Sequence, residues 1–290
     1  NVLGRIGTES ARQALVSALS SKDKDLAAMA ASSLGELGLT DSVKTALLSA
    51  AQSSPEVKQQ VMNQLIQAGA PEGLRFAEEL LNSKDSSNAS SAIWALASAG
   101  TPEAKQLIER ALDSKDSSVR VAAISSLMQN PDEQSTDKLV KLATDEDAQV
   151  RAMALSTLGQ VGSERAQQAI FEATRSGKPE DRMAAISGLS SMDDARASAQ
   201  LAHLMRDPDL SVAQTAISSS YNGGPEVDQA LTGIVNDPNA NAELRASAAG
   251  QLRNRGAERD AATEQVVTKL AGSAAGYGGF SYGGMLRHPI

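Results

Sequence analysis

The stretch from Thr101 to Pro131 reads TPEAKQLIERALDSKDSSVRVAAISSLMQNP and contains two helix patterns separated by a Ser/Lys/Asp break. Pro102 stands in the first turn of the first pattern, where a proline loses no helical hydrogen bond. Each pattern spaces its apolar residues as one buried helix face. In the first pattern these residues are Ala104, Leu107, Ile108, Ala111 and Leu112, and in the second they are Val119, Ala123, Ile124 and Leu127. The stretch therefore predicts a helical hairpin.

The same unit recurs every 31 residues along the chain. A fixed period of this length is typical of repeat proteins, in which each unit buries its apolar face against its neighbours. The position that ends the second helix is occupied by Gly7, Gly38, Gly69, Gly100, Pro131, Gly162, Asp193 and Gly224. A leucine late in the second helix recurs with it and predicts the core, at Leu34, Leu65, Leu96, Leu127, Leu158, Leu189 and Leu252. Ser220 departs from this leucine row.

A turn Asp, then Val-Arg, then a small residue and a leucine resembles the short HEAT-like repeats of bacteria, of the type named after phycobilin lyases. Here the pattern reads Asp116-Ser-Ser-Val119-Arg120 and Asp147-Ala-Gln-Val150-Arg151. The resemblance implies an all-α fold, an α-solenoid of about eight 31-residue helical hairpins over residues 8–256. We expect residues 1–7 to be the end of a truncated repeat, 257–271 a terminal helix and 272–290 a Gly/aromatic tail.

The composition argues against most catalytic chemistry. The chain has no cysteine, which excludes thiolate catalysis, disulfides and cysteine-bound metals. Deoxyhypusine hydroxylases of similar build hold iron with paired His-Glu motifs, whereas His203 is followed by Leu204 and the other histidine is His288. The acidic clusters Asp145-Glu146-Asp147 and Glu78-Glu79 fit helix capping and a solvated helix face better than an acid/base pair. We predict no catalytic residue, no metal site and no cofactor.

The charge balance limits the choice of partner. The chain has 27 Lys+Arg against 35 Asp+Glu, and a net charge of −8 argues against binding to a nucleic-acid backbone. No segment has the pattern of a signal peptide or a membrane-spanning helix, and the first residues match the end of a second helix, as expected for a processed product or a fragment of a longer array. We expect a protein or peptide partner and no membrane insertion. The Ser/Asn/Gln-rich composition leans slightly towards a secreted or cell-surface location.

A cationic residue recurs at one position of the second helix, as Lys58, Arg120, Arg151, Arg182 and Arg245. Asp116 precedes Arg120 by four residues, and Asp147 precedes Arg151 by the same spacing. Such pairs would link the turn between the helices to the second helix of the same unit. The alternative is a ladder of positive charge for an acidic partner. We favour the architectural interpretation.

The outer face of the second helix is nearly free of charge, and Glu36 is its single charged residue over seven units. HEAT-like stacks place the second helix on the concave side, so the resemblance implies a charge-poor groove for a protein or peptide. Compositional drift in a Ser/Ala-rich chain is the alternative explanation. Trp94 occupies the position that Asn63, Ser125 and Ser156 hold in other units. It would be a natural anchor for a partner, or it could pack on a neighbouring unit.

The C-terminal tail holds three of the seven aromatic residues, Tyr277, Phe280 and Tyr282, among glycines. It is expected either to be disordered or to dock on another copy, for instance in the groove. The predicted function is a non-catalytic protein–protein interaction scaffold. A first alternative is a structural protein that assembles head to tail through its half-repeat ends and aromatic tail. A second alternative is lyase-like handling of a chromophore, for which the repeats carry no recognisable motif.

Overall fold

The computed structural model describes residues 9–52, 55–83, 85–129, 131, 133–192, 194–256 and 259–274. Within these ranges it has seventeen α-helices, two short 3-10 helices and no β-strand. The chain divides into two compact units, Asn1–Lys138 and Leu139–Ile290. The all-α fold of repeated helical hairpins predicted from the sequence is confirmed.

The first unit consists of four hairpins, and helix α9 begins at its end. Its helices are α1 (Glu9–Ala18), α2 (Lys24–Glu36), α3 (Asp41–Ala50), α4 (Pro55–Gln67), α5 (Pro71–Leu81), α6 (Ser86–Ala99), α7 (Pro102–Ala111), α8 (Ser117–Met128) and α9 (Thr136–Leu142). The second helix of each hairpin packs on that of the next, in the order α2, α4, α6 and α8. A 3-10 turn, Glu133–Ser135, precedes α9.

The second unit repeats this arrangement. Its further helices are α10 (Ala148–Val161), α11 (Glu164–Ala173), α12 (Pro179–Ser190), α13 (Ala195–Leu204), α14 (Leu210–Ser218), α15 (Pro225–Asn236), α16 (Ala242–Arg255) and α17 (Ala261–Ala274). The second helices stack in the order α10, α12, α14 and α16, and a 3-10 turn, Ser220–Asn222, follows α14. The terminal helix was predicted at 257–271, but α17 begins at Ala261, after Asp260 accepts a 2.7 Å hydrogen bond from the Thr263 N–H. It packs on α15 and α16.

The core is the Ala/Leu core that the periodicity predicts. The apolar stripes of the hairpin from Thr101 to Pro131 are buried along both helices, and so is every residue of the leucine row. The small residue four positions before each leucine, and before Ser220, is buried as well, at Ala30, Val61, Ala92, Ala123, Ala154, Ala185, Ala216 and Ala248. Because these side chains are small, neighbouring second helices can pack closely.

The boundaries of the second helices follow from capping chemistry. Asp116 begins α8 by accepting a 2.9 Å hydrogen bond from the Ser118 N–H, and Asp147 does the same for α10. The periodic glycines Gly100 and Gly162 end α6 and α10 with φ angles of 63° and 68°, a conformation that glycine adopts without strain. Gly224 differs, because its φ of −77° is ordinary and it precedes α15 as the N-cap.

Ser220 replaces the leucine where the second helix ends early. Helix α14 ends at Ser218, and the buried Ser220 hydroxyl donates a 2.6 Å hydrogen bond to the carbonyl of Ile217. Arg255, from the next second helix, binds the carbonyl of Ser220 and, at 2.6 Å, that of Gly223. Hydrogen bonds to backbone carbonyls thus take the place of an apolar contact at this position.

Two residues of the cationic row, Arg120 and Arg151, link the turn to the second helix of their own hairpin, as the architectural interpretation predicts. Nη1 of Arg120 donates to the carbonyls of Ser114 and Lys115 at 2.8 and 3.2 Å, and Nη1 of Arg151 donates to that of Asp145 at 2.8 Å. These guanidinium groups bind the backbone of the turn within their own hairpin. The Asp116 carboxylate accepts hydrogen bonds from the Ser118 hydroxyl and N–H at the start of α8, and these bonds together with the charge of Arg120 lower its pKa.

Candidate functional site

A cleft of about 680 Å³ opens in the first unit between α4 and α6. Its lining contains no charged side chain. Amide, hydroxyl and apolar groups alternate around it, from Gln59, Asn63, Ile66, Gln67, Gly69, Ser91, Trp94, Ala95, Ser98, Ala99 and Thr101. The cleft therefore offers hydrogen-bonding groups and an aromatic surface without a fixed charge.

Trp94 lines this cleft with 42% of its surface exposed. Its position follows from the helix period, because Ile93 and Leu96 are fully buried and hold α6 against the core. A residue between them points about 100° or more away from the buried stripe. Asn63, one repeat earlier, lines the same cleft from α4. The structure thus brings two of the predicted site residues together.

The other predicted site residues do not share this cleft. Ser125 lies half-buried on α8, where its hydroxyl donates a 2.8 Å hydrogen bond to the carbonyl of Val121. Ser156 is half-buried on α10 in the second unit. Tyr277, Phe280 and Tyr282 lie outside the described residues. The residues at positions equivalent to Trp94 therefore do not form a single site.

The charge-poor face is narrower than the sequence suggests, because several residues of one of its columns are buried between stacked helices, whereas Gln64 and Ala95 in the same column are half-buried. Ser33, Ser126 and Thr157 are buried at this column. The Ser126 hydroxyl donates to the carbonyl of Ala123 at 2.7 Å, and the Thr157 hydroxyl donates to that of Met153 at 2.8 Å. Helical periodicity alone did not reveal this burial, since it depends on how closely the next repeat approaches.

Two residues of the cleft have equivalents three repeats later that are both glycine. Ile66 and Ala95 line the cleft, whereas the equivalent positions in α10 and α12 hold Gly159 and Gly188. A Cβ atom at position 159 would lie 2.3 Å from the carbonyl oxygen of Gly188. The two helices therefore meet at backbone distance. The sequence signal was present, as glycines inside helices, but only the packing shows its meaning.

A second cavity of the first unit, about 640 Å³ in volume, has a different character. It lies along α5, α7 and the turn before α8, and Arg110, Asp113 and Lys115 are among its lining residues. Two of its charged residues pair with each other, since Arg110 Nη1 lies 2.7 Å from Glu78 Oε1, and Asp113 pairs with Lys138 outside the lining at 2.8 Å. The Ser118 hydroxyl and N–H hold the pKa of Asp116, which also lines the cavity, below its usual value. These carboxylates serve capping and pairing.

Over the ranges given above, no group of three or more His, Cys, Asp or Glu residues is placed to hold a metal ion. In the same part of the chain, no helix combines the length and the apolar character needed to cross a membrane.

The fold and the cleft define the class of protein, an α-solenoid built from helical hairpins. The family model for HEAT repeats matches residues 45–128, 74–149 and 136–222, which together run over more than half of the chain. The chain belongs to the HEAT-repeat family. Among curated protein sequences, no relative matches it.

Several solved structures are similar in fold. A mutant of Kap121p is 14% identical with a TM-score of 0.61, and the match covers 89% of this chain and 35% of that chain. Kap95p, in a structure concerned with its binding to RanGDP, is 14% identical with a TM-score of 0.56 and coverages of 84% and 39%. The chain thus spans less than half the length of these proteins. At this identity the likeness shows the fold alone.

A third structure is the complex of CpcE and CpcF of phycocyanin lyase from Nostoc sp. It is 17% identical to this chain, and the match covers 90% of this chain and 94% of that chain. Its TM-score of 0.39 is too low to support an inference about this protein.

Proposed function

We propose that the chain is a non-catalytic protein-interaction scaffold and that the cleft between α4 and α6 receives a peptide segment of its partner. The observation that carries this proposal is Trp94. It is the single tryptophan of the chain, and it lies 42% exposed in a cleft with no charged lining residue. Tryptophan is enriched among the residues that dominate binding energy at protein interfaces.

The dimensions and chemistry of the cleft favour a peptide of low charge. Its volume of about 680 Å³ lies within the range of sites that enclose a ligand or several side chains. A charged partner residue would lose hydration here without gaining an ion pair, which is unfavourable. The amides of Asn63 and Gln67 and the hydroxyls of Ser91 and Ser98 can pair with a peptide backbone. Apolar or aromatic side chains would pack on Trp94.

The fold also supports a protein partner. HEAT-repeat proteins of similar structure include Kap95p, whose structure concerns its binding of the protein RanGDP. The net charge of −8 disfavours a nucleic-acid backbone, as argued from the sequence. Catalysis is not part of the proposal, since no titratable side chain lines the cleft.

The proposal is tested by selecting peptides from a random display library on the purified chain and measuring their binding by tryptophan fluorescence. Because Trp94 is the single tryptophan, a change in its emission reports on the cleft directly. We expect selected peptides to shift the emission of Trp94 to shorter wavelength. Their affinity for the Trp94→Ala variant, measured by calorimetry because the variant lacks tryptophan, should be lower by a factor of about ten or more.

The matched control is Ser187→Ala, which changes the equivalent position of α12 in the second unit. This variant should bind the same peptides with unchanged affinity. Peptides that bind the chain but ignore Trp94, in both emission and affinity, would place the interaction surface elsewhere and refute the role of the cleft.

A further inference from the structure

The C-terminal segment Gly276–Leu286 has a composition that matches the cleft. It reads GYGGFSYGGML and contains no charged residue, while Arg287 and His288 follow it. Its five glycines place little bulk around the backbone, so the chain can approach a surface closely. Its aromatic side chains, Tyr277, Phe280 and Tyr282, can supply the apolar area that a tryptophan surface binds.

We propose that the segment Gly276–Leu286 of a second copy of this chain occupies the cleft between α4 and α6. This inference rests on the proposed function, because it names the peptide that the cleft receives. An aromatic ring of the segment would stack on Trp94 or meet its edge, and the backbone of the glycines would pair with Asn63 and Gln67. Neither partner has to bury a charge, so the desolvation cost is low.

Within its own chain, the short reach of the segment favours contacts close to the end of α17. Phe280 follows Ala274, the last residue of α17, by six residues, so an extended chain places it at most about 20 Å from the end of that helix. Neighbouring helices pack about 8–10 Å apart, so this distance is about two helix widths. Helix α17 packs on α15 and α16, and four stacked second helices separate it from the start of its own unit.

The exposed surface of α17 also favours the tail over direct stacking of repeats between copies. Its exposed residues include Glu264, Gln265, Thr268 and Lys269, while Thr263 and Val267 are buried against the preceding hairpin. A helix face with such polar groups gains little by being covered. We therefore assign the contact between copies to the C-terminal segment Gly276–Leu286 rather than to the surface of α17. Since it joins different surfaces on the two copies, each added copy leaves one cleft and one tail free.

The test uses the full chain and a variant in which Tyr277, Phe280 and Tyr282 are all changed to Ala. We expect the mass of the unmodified chain to grow with concentration in light scattering, and its Trp94 emission to move to shorter wavelength in parallel. The variant should stay monomeric with constant emission. The Trp94→Ala variant should also stay monomeric, since it lacks the other half of the contact.

A synthetic peptide of residues 276–290 completes the test. It contains no tryptophan, so any change in emission comes from Trp94. We expect it to shift the emission of the triple variant and to reduce the mass of the unmodified chain by competition. A monomer at all concentrations, or an emission difference that does not depend on concentration, would overturn the assignment to a second copy.

The outcome also separates this inference from the proposed function. If the tail peptide leaves Trp94 unchanged but peptides selected from a library shift its emission, the cleft binds peptides and the inference about the tail is wrong. If neither the tail peptide nor a selected peptide shifts the emission, both proposals fail.

Discussion

The contact between α4 and α6 and the contact between α10 and α12 join the same two kinds of helix, yet one leaves a cleft and the other is closed. Ile66 and Ala95 occupy the facing positions in the first unit, and Gly159 and Gly188 occupy them in the second. A Cβ atom at either glycine would lie within 2.7 Å of a backbone carbonyl oxygen. The open contact thus has larger side chains at these two positions, whereas the closed contact has none and its helices pack at backbone distance.

An ion pair that joins neighbouring repeats is also more buried in the second unit than in the first. In the second unit Arg182 binds Asp207 at 2.8 Å, and the two side chains are 12% and 6% exposed. In the first unit Lys58 binds Glu79, with 21% and 47% exposure. Burial raises the pKa of Asp207, but the hydrogen bonds from Arg182 and the Asp209 N–H outweigh it, so the net pKa lies below its usual value. Removing one partner of this buried pair should therefore cost more stability than removing one partner of the exposed pair.

The largest expected loss of stability comes from breaking the buried pair between Arg182 and Asp207. Changing Asp207 to Asn leaves Arg182 without its anionic partner, and we expect a loss of about 3 kcal/mol in the free energy of unfolding, measured with urea at neutral pH. The matched change in the first unit, Glu79→Gln, should cost less than about 1 kcal/mol because that pair is exposed. Equal losses at the two sites would contradict the comparison.

The same pair gives a pH dependence with a defined sign. The pKa of Asp207 is lower in the folded than in the unfolded chain, so the pair stabilises the fold above the unfolded value, about 3.9. This contribution is lost as the pH falls through the folded pKa. The stability gap between the unmodified chain and Asp207→Asn should therefore be constant from neutral pH down to about 5 and narrow below about 4.

The second prediction concerns the closed contact. Gly159→Ala places a methyl group 2.3 Å from the carbonyl oxygen of Gly188, so α10 and α12 must separate. We expect a loss of about 2 kcal/mol, since overpacking exceeds the gain in helix propensity. The control is Gly250→Ala in α16, where no atom lies within 4 Å of the new Cβ. It should stabilise the chain by about 0.5–1 kcal/mol. A stabilising Gly159→Ala would show that the contact is looser than described.

The third prediction addresses a feature that the two units share. Gly100→Ala and Gly162→Ala each force a side chain into a left-handed conformation at a helix end, with open space around the new Cβ. We expect the same loss, about 1 kcal/mol, at both positions. Gly177 is also surrounded by open space, but its φ is not left-handed, so Gly177→Ala should be nearly neutral. Thermal unfolding of the three variants measures these differences.

The smallest expected effect on stability is at Trp94. Because the side chain is 42% exposed in an open cleft, Trp94→Ala should change the free energy of unfolding by less than about 1 kcal/mol, close to the effect of Ser187→Ala at the equivalent position. Denaturant curves followed by circular dichroism would measure both variants. A loss of several kcal/mol would make Trp94 a packing residue and remove the basis of the proposed function.

The sequence predicted the features that depend on one hairpin alone. Helical periodicity identified the buried stripe through Leu107 and Ile108, and the 31-residue glycine period identified the ends of second helices at Gly100 and Gly162. The features that depend on neighbouring repeats could not be predicted in the same way. Gly188 belongs to the outer face of the second helices, which the sequence predicts to be exposed, yet it is buried, because the spacing of residues in one helix does not show how closely the next helix approaches.

The candidate site illustrates the same limit. The sequence identified Trp94 as unusual and placed Asn63 at the equivalent position, and the structure brings these two residues into one cleft. It also grouped Ser125 and Ser156 with them, although these serines lie outside the cleft lining. Equivalent positions in a repeat share a local environment within their helix. The gap between two helices depends on the side chains of both helices. A single set of equivalent positions describes only one of them.

The arginines that bind turn carbonyls allow the turns to change without loss of the fold. Arg120 and Arg151 hold equivalent carbonyls, yet the residues that carry them are Ser114 and Lys115 in one repeat and Asp145 and Glu146 in the next. Even a reversal of side-chain charge, from lysine to glutamate, preserves the contact. Mutations can therefore accumulate in these surface turns during evolution while each hairpin stays intact, and new surface properties can arise there at little cost to folding.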